Sequence, residues 1–166
     1  MPKPYNHFSR EEFSQRQQKT RKHLQNLELD GLLLFKIEDM YWLTGYESDG
    51  FCIFGSMFIG TEGALTHLAR PADLGNLSYS SICEDVRISP DTEDSTRAEH
   101  IKDMLRSLGM EGKKIGIQVD TMGLTPRLFL EIKEILDGWC NLTVAPDFIR
   151  ILRLVKSPQE LSYFRK

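Results

Sequence analysis

The stretch Asp39-Met40-Tyr41-Trp42-Leu43-Thr44-Gly45-Tyr46-Glu47-Ser48-Asp49-Gly50-Phe51 concentrates the side chains best suited to contacting a small molecule. It packs four aromatics, three acids and two glycines between two apolar runs. Aromatic side chains offer a large apolar surface, and tyrosine adds a polar tip. Carboxylates stabilise a nearby ammonium or guanidinium, so Glu47 and Asp49 mildly favour a cationic substrate end. Loops at strand ends commonly carry binding residues. Tyr41, Trp42 and Leu43 read as a core-facing helical turn. Tyr46 to Phe51 fits either packing or substrate contact.

Other catalytic patterns are missing. Gly109, Gly112 and Gly116 do not make G-x-G-x-x-G, and no G-x-x-x-x-G-K-S/T, G-x-S-x-G or H-E-x-x-H occurs. His7, His23, His67 and His100 stand singly, with no second ligand at metal-binding spacing. His67 lies in a strand, where it is either structural or aimed into a cleft. His23 and His100 read as solvated. Glu84-Asp85 and Asp91-Thr92-Glu93-Asp94 lack the ligand ladder and central glycine of a calcium loop. The second cluster suits a solvated turn before a helix N-terminus.

Alternating elements must position these residues. Ser9 and Glu12 are spaced as a capping box, and Phe8 and Phe13 as a hydrophobic staple, for a helix over about Arg10 to Leu27. Its sparse apolar face (Phe13, Leu24, Leu27) makes it a surface helix. Asp30 to Phe35 reads as a strand buried on both faces, and Ile37 to Gly45 as a short helix closed by glycine. Phe51 to Ile59 and Ala64 to Ala69 bracket Thr61-Glu62-Gly63, the pattern of an antiparallel hairpin. A short helix after Pro71, a strand over Val86 to Ser89, a helix over Ser95 to Leu108, a strand over Lys114 to Val119 and a helix from Thr125-Pro126 to Gly138 follow. Leu142 to Val144 and Ile149 to Val155 read as the last strands. Ser157, Pro158 and Glu160 then launch a further helix with a capping box. So strong a start signal so near Lys166 suggests the first part of a longer protein. Hairpin first, then alternating strand and helix, specifies an α/β domain with a mixed sheet.

With 166 residues, 40% hydrophobic and 27% charged, the composition is that of one ordinary globular domain. The net charge of −3 gives no footprint for nucleic acid. Met1 to His7 lacks the apolar core of a secretory signal. The apolar run Phe51 to Ile59 is too short to span a bilayer, so no membrane partner is expected. Cys52, Cys83 and Cys140 are odd in number and form no C-x-x-C, and Cys52 and Cys140 have apolar neighbours. Buried free thiols in the cytoplasm are the expectation.

Three segments together resemble one family. Arg16 to Leu34 fits an arginine-bearing helix followed by L-D-G-L-L-L. Asp39 to Tyr46 fits the turn N-I-x-Y-L-T-G-F, and Arg153 to Leu161 the junction R-x-I-K-S-P-x-E-I. The chain resembles the N-terminal domain of the creatinase, prolidase and aminopeptidase P group of pita-bread metallohydrolases. Asp39 replaces the usual asparagine, and aspartate still suits a cap there. The resemblance implies a ribonuclease H-like α/β fold with a mixed sheet of five to six strands, an antiparallel hairpin plus parallel strands, flanked by helices. It implies a domain over residues 1–156 and, over 157–166, the start of a linker helix into a catalytic domain absent from this chain.

By the same resemblance, this segment holds no catalytic residue, cofactor or metal ligand. A divalent metal (Mn, Co or Zn) would belong to the catalytic domain of peptidase members, where two aspartates, a histidine and two glutamates bind two ions. Creatinase-like members use a histidine without metal. The N-terminal domain reaches over a partner subunit's active site in dimeric relatives, which makes Tyr46, Asp49 and Phe51 the substrate-contact candidates. The implied partners are the chain's own C-terminal catalytic domain, a second subunit in a homodimer, and a peptide or small amide or guanidino substrate. The implied function is the non-catalytic domain of an Xaa-Pro peptidase or creatinase-like hydrolase, shaping access and dimer contacts. A catalytically inactive binding or scaffold module of the same fold is the alternative.

Overall fold

The computed structural model describes residues 6–165, so the outer limits proposed for the two segments, residues 1 and 166, lie outside the described residues. Six strands form one mixed sheet: β1 (Gly31–Leu34), β2 (Ser56–Gly60), β3 (Thr66–Ala69), β4 (Asp85–Ile88), β5 (Lys114–Ile117) and β6 (Asn141–Val144), in the order β4-β3-β2-β1-β5-β6. The β1–β2 and β2–β3 pairs are antiparallel, and β3–β4, β1–β5 and β5–β6 are parallel.

Strand β1 is buried along its whole length, as a continuous apolar run requires. The register Leu32↔Ile59, Leu33↔Phe58, Leu34↔Met57 sends alternate pairs to opposite faces. Leu32, Leu34, Met57 and Ile59 join the core under α1 (Arg10–Asn26), α2 (Ile37–Thr44), α3 (Leu74–Ser80) and α6 (Phe148–Leu154). Leu33 and Phe58 join Ile101, Leu105, Ile132 and Leu136 of α4 (Arg97–Ser107) and α5 (Pro126–Leu136) on the other face. The last helix is α7 (Pro158–Phe164).

Several expectations need correction. Ile149 to Leu154 lies in helix α6, not a strand, with Val155 as its extended C-cap: Phe148 and Ile149 bury with Leu152 packed beside them, a helical spacing that β-branched composition obscures. Strand β2 begins at Ser56, so Phe51 lies in a turn closed by Ile53 N–H donating to Gly50 O at 2.9 Å. The hairpin loop runs from Thr61 to Leu65, longer than three residues. Ser9 caps α1 through Glu12 N, but the reciprocal half of the box is replaced: Ser9 N donates to Gln159 Oε1 at 3.2 Å while Glu12 turns to Arg16. Cys52 is exposed, and Cys83 and Cys140 are half-buried.

Candidate functional site

Helix α2 delivers the candidate loop. Gly45 ends the helix at φ 79°, where a Cβ would lie 2.1 Å from Asn6 Oδ1 and 3.0 Å from Ser80 O. The last carbonyls of a helix lack intrahelical donors and carry partial negative charge. Side chains of α1 supply donors here: Arg16 Nη1 to Trp42 O at 3.1 Å and Gln17 Nε2 to Leu43 O at 3.0 Å. Ile82 N donates to Thr44 O at 2.9 Å. Beyond Gly45, Glu47 N donates to Ser80 Oγ at 2.9 Å and Gly50 N to Ser48 Oγ at 3.0 Å. The loop backbone is thus held by side-chain hydroxyls, one from Ser80 of α3 and one from its own Ser48.

The three candidates occupy different surroundings. Tyr46 is 4% exposed and walls a narrow cleft together with Ser48, Gly50, Phe54, Gly55, Arg70 and Asp73. Asp49 is exposed and lines a neighbouring polar groove with Glu47, Asn76 and Ser80. Phe51, 55% exposed, contributes to neither. Burial pushes the Tyr46 phenol above its ordinary pKa, with Ser48 opposing, so it stays a protonated donor near neutral pH. Arg70 grips Asp73 through a two-point fork, Nε to Oδ2 at 3.0 Å and Nη2 to Oδ1 at 2.9 Å.

His67 lies beneath this cleft. It is 1% exposed, meets the Tyr46 ring edge-on at 4.7 Å, and neither ring nitrogen has a hydrogen-bond partner. Gly55 passes over it; a Cβ there would sit 3.9 Å from Nε2. Burial pushes the imidazole pKa down to about 4 against the pull of Asp73, so the ring is neutral at pH 7. His100, read as solvated, is instead half-buried, with Ser89 Oγ and Ser95 Oγ each 2.7 Å from a ring nitrogen. His23 is half-buried against Phe148, ring centroids 4.6 Å apart.

Two buried charge networks brace the scaffold, and neither was read from the sequence. Arg16, 2% exposed, donates through Nε to Glu12 at 3.0 Å and through Nη2 to Glu160 at 3.2 Å, with Phe8 4.1 Å from its guanidinium carbon. Asp39 does not cap α2; Lys36 holds the cap position. The Asp39 carboxylate, fully buried, accepts from Gln118 Nε2 at 2.6 Å and Arg153 Nη1 at 2.7 Å. The Glu12/Arg16 spacing of four was a readable sign of a helical ion pair. Nothing local pointed to Gln118 or Arg153.

The described residues include no group of three His, Cys, Asp or Glu side chains able to hold a metal ion. The donor set for a divalent metal is thus not met among them. No helix among the described residues is long and apolar enough to cross a membrane.

Comparison with known proteins agrees with this architecture. The chain is 24% identical over 165 residues to the ectoine hydrolase of Halomonas elongata, covering 95% of this chain and 41% of that protein. It is 23% identical over 167 residues to an uncharacterized hydrolase/peptidase of Sinorhizobium fredii, covering 96% of this chain and 42% of the relative. The chain therefore spans about two-fifths of the length of these relatives. The Xaa-Pro dipeptidase from Bacillus anthracis shares the fold at a TM-score of 0.72 and 16% identity, over 90% of this chain and 38% of that one. The N-terminal domain of the cytoplasmic peptidase PepQ from Mycobacterium tuberculosis does so at 0.65 and 16%, over 84% and 98%. With residues 16–155 matching the Creatinase/Prolidase N-terminal domain, the chain belongs to that family.

Proposed function

We propose that this domain is the non-catalytic N-terminal part of a cytoplasmic two-domain hydrolase, an Xaa-Pro peptidase or a creatinase-like enzyme, and that it shapes the entrance to an active site built by the catalytic part. Metal chemistry with Mn, Co or Zn, if the parent uses it, belongs to that part. In a homodimer the loop after Gly45 would lean over the partner's site, with Asp49 meeting a cationic substrate group and Phe51 its apolar body. The observation that carries the reading is the loop itself: Asp49 and a 55% exposed Phe51 project from a backbone anchored at Ser80 and Ser48. Exposed side chains on a braced loop suit contact with something outside the domain better than packing within it.

The test is steady-state kinetics of the full-length protein on an Xaa-Pro dipeptide and on a small amide or amidine. Phe51→Ala and Asp49→Ala should each lower kcat/KM by about tenfold, roughly the 1.4 kcal/mol of one lost contact. Unchanged kcat/KM in both variants on every substrate turned over would remove the loop from the site. A second reading, a scaffold without catalysis, draws on Leu154, Val155 and Phe164, which are 65%, 76% and 75% exposed around α6 and α7. The coding sequence past Lys166 decides between them: the two-aspartate, histidine, two-glutamate set or a creatinase-type histidine favours the enzyme.

A further inference from the structure

Helix α2 and the two C-terminal helices are joined by buried charge at both ends of α2. In its first turn, Asp39 binds Arg153 of α6 at 2.7 Å and is 0% exposed. In its last turn, Trp42 O binds Arg16, and the same guanidinium reaches Glu160 of α7. Glu160 is committed twice over, since its Oε2 also accepts from Ser157 N at 2.8 Å. Gln159 and Ser9 exchange two further hydrogen bonds, at 3.2 and 3.0 Å, and Tyr163 Oη donates to His7 O at 2.7 Å. The Ser157-Pro158 segment is thus tied down on its far side by α7, rather than left to pivot.

We propose that Arg16, through Glu160 of α7, and Asp39, through Arg153 of α6, are positioning residues that make α2, α6 and α7 one rigid body, so that the direction in which α7 leaves the domain and the placement of the Tyr46–Phe51 loop are set together. Two features argue for this over general stabilisation. A buried guanidinium or carboxylate is costly unless every partner stays in place, so each ion pair accepts one geometry and rejects neighbouring ones. Arg16 also satisfies acceptors on three elements through three different nitrogens (Nε to α1, Nη1 to α2, Nη2 to α7), and a planar fork of that kind fixes relative orientation as a flexible ammonium cannot. The consequence for substrate placement rests on the function proposed above. The coupling itself is a property of this chain and is measured without substrate.

The experiment is pulsed electron resonance on the 166-residue chain with Cys52, Cys83 and Cys140 replaced by serine. Nitroxides at Asp49→Cys and Ser162→Cys report the loop against α7, and a second pair at Glu62→Cys and Glu111→Cys reports the sheet alone. The isosteric variants Asp39→Asn and Glu160→Gln, combined, remove the charges and keep the volumes. The expected result is a narrow 49–162 distance distribution that at least doubles in width in the variant, while the 62–111 distribution is unchanged. A 49–162 width unaffected by the substitutions would overturn the proposal. So would equal broadening of both pairs, which would mean the charges merely stabilise the whole fold. Failure of the kinetic test on Phe51 and Asp49 would leave this outcome unaffected.

Discussion

A histidine held neutral by burial makes stability depend on pH in a definite direction. The unfolded ring takes up a proton as pH falls through about 6.5, whereas folded His67 resists until about 4. The unfolded state therefore binds more protons across that window, and stability falls as pH is lowered, by about 2 kcal/mol between pH 7 and 5. Asp85, held low by Arg87 and Thr66, loses its contribution only below the ordinary aspartate range and does not blur the window. Urea midpoints measured at pH 7, 6 and 5 should show this decline in the natural chain and a flatter profile in His67→Leu. At this scale the sequence was least legible. Composition marked Tyr46 to Phe51 as a candidate stretch, yet the side chains divide between a cleft wall, a polar groove and open solvent. No local pattern records that division.

Elements were legible where they signal through neighbours in sequence. The Ser157/Glu160 box is complete, Thr125 and Pro126 open α5, and Gly45 closes α2. Helix α6 was misread because a short apolar run carries no period of its own when its polar face is interrupted by Ile151 and Leu154. Gly45 yields a prediction at this scale. Alanine at positive φ costs about 1 kcal/mol in backbone strain, and the contact with Ser80 O adds to it. Gly45→Ala should lower unfolding free energy by about 2–3 kcal/mol. Gly63→Ala, at the same φ of 79° with nothing within 4 Å, should lose only the backbone share. Denaturant titration of the two variants side by side separates strain from crowding. Equal losses would mean that the packing around Gly45 yields freely.

The whole molecule is a sheet with a helical layer on each face. The fold class was readable because β1 buries both faces while the hairpin and the later strand–helix units alternate. The bracing was not, since its partners lie 79, 114 and 144 residues apart along the chain. Purified residues 1–166 supplied with Mn, Co or Zn should hydrolyse no Xaa-Pro dipeptide above the buffer rate. Turnover would place the chemistry inside this chain. The same long separations govern how the molecule is made. A ribosome adds roughly 5–20 residues per second, so α2 emerges about 6 to 23 seconds before the arginine that neutralises Asp39, 114 residues later. Until then that carboxylate favours water over the interior, and α2 has no reason to settle. The platform beneath the Tyr46 loop is completed during synthesis only when α6 and α7 arrive, long after α2 itself has left the tunnel.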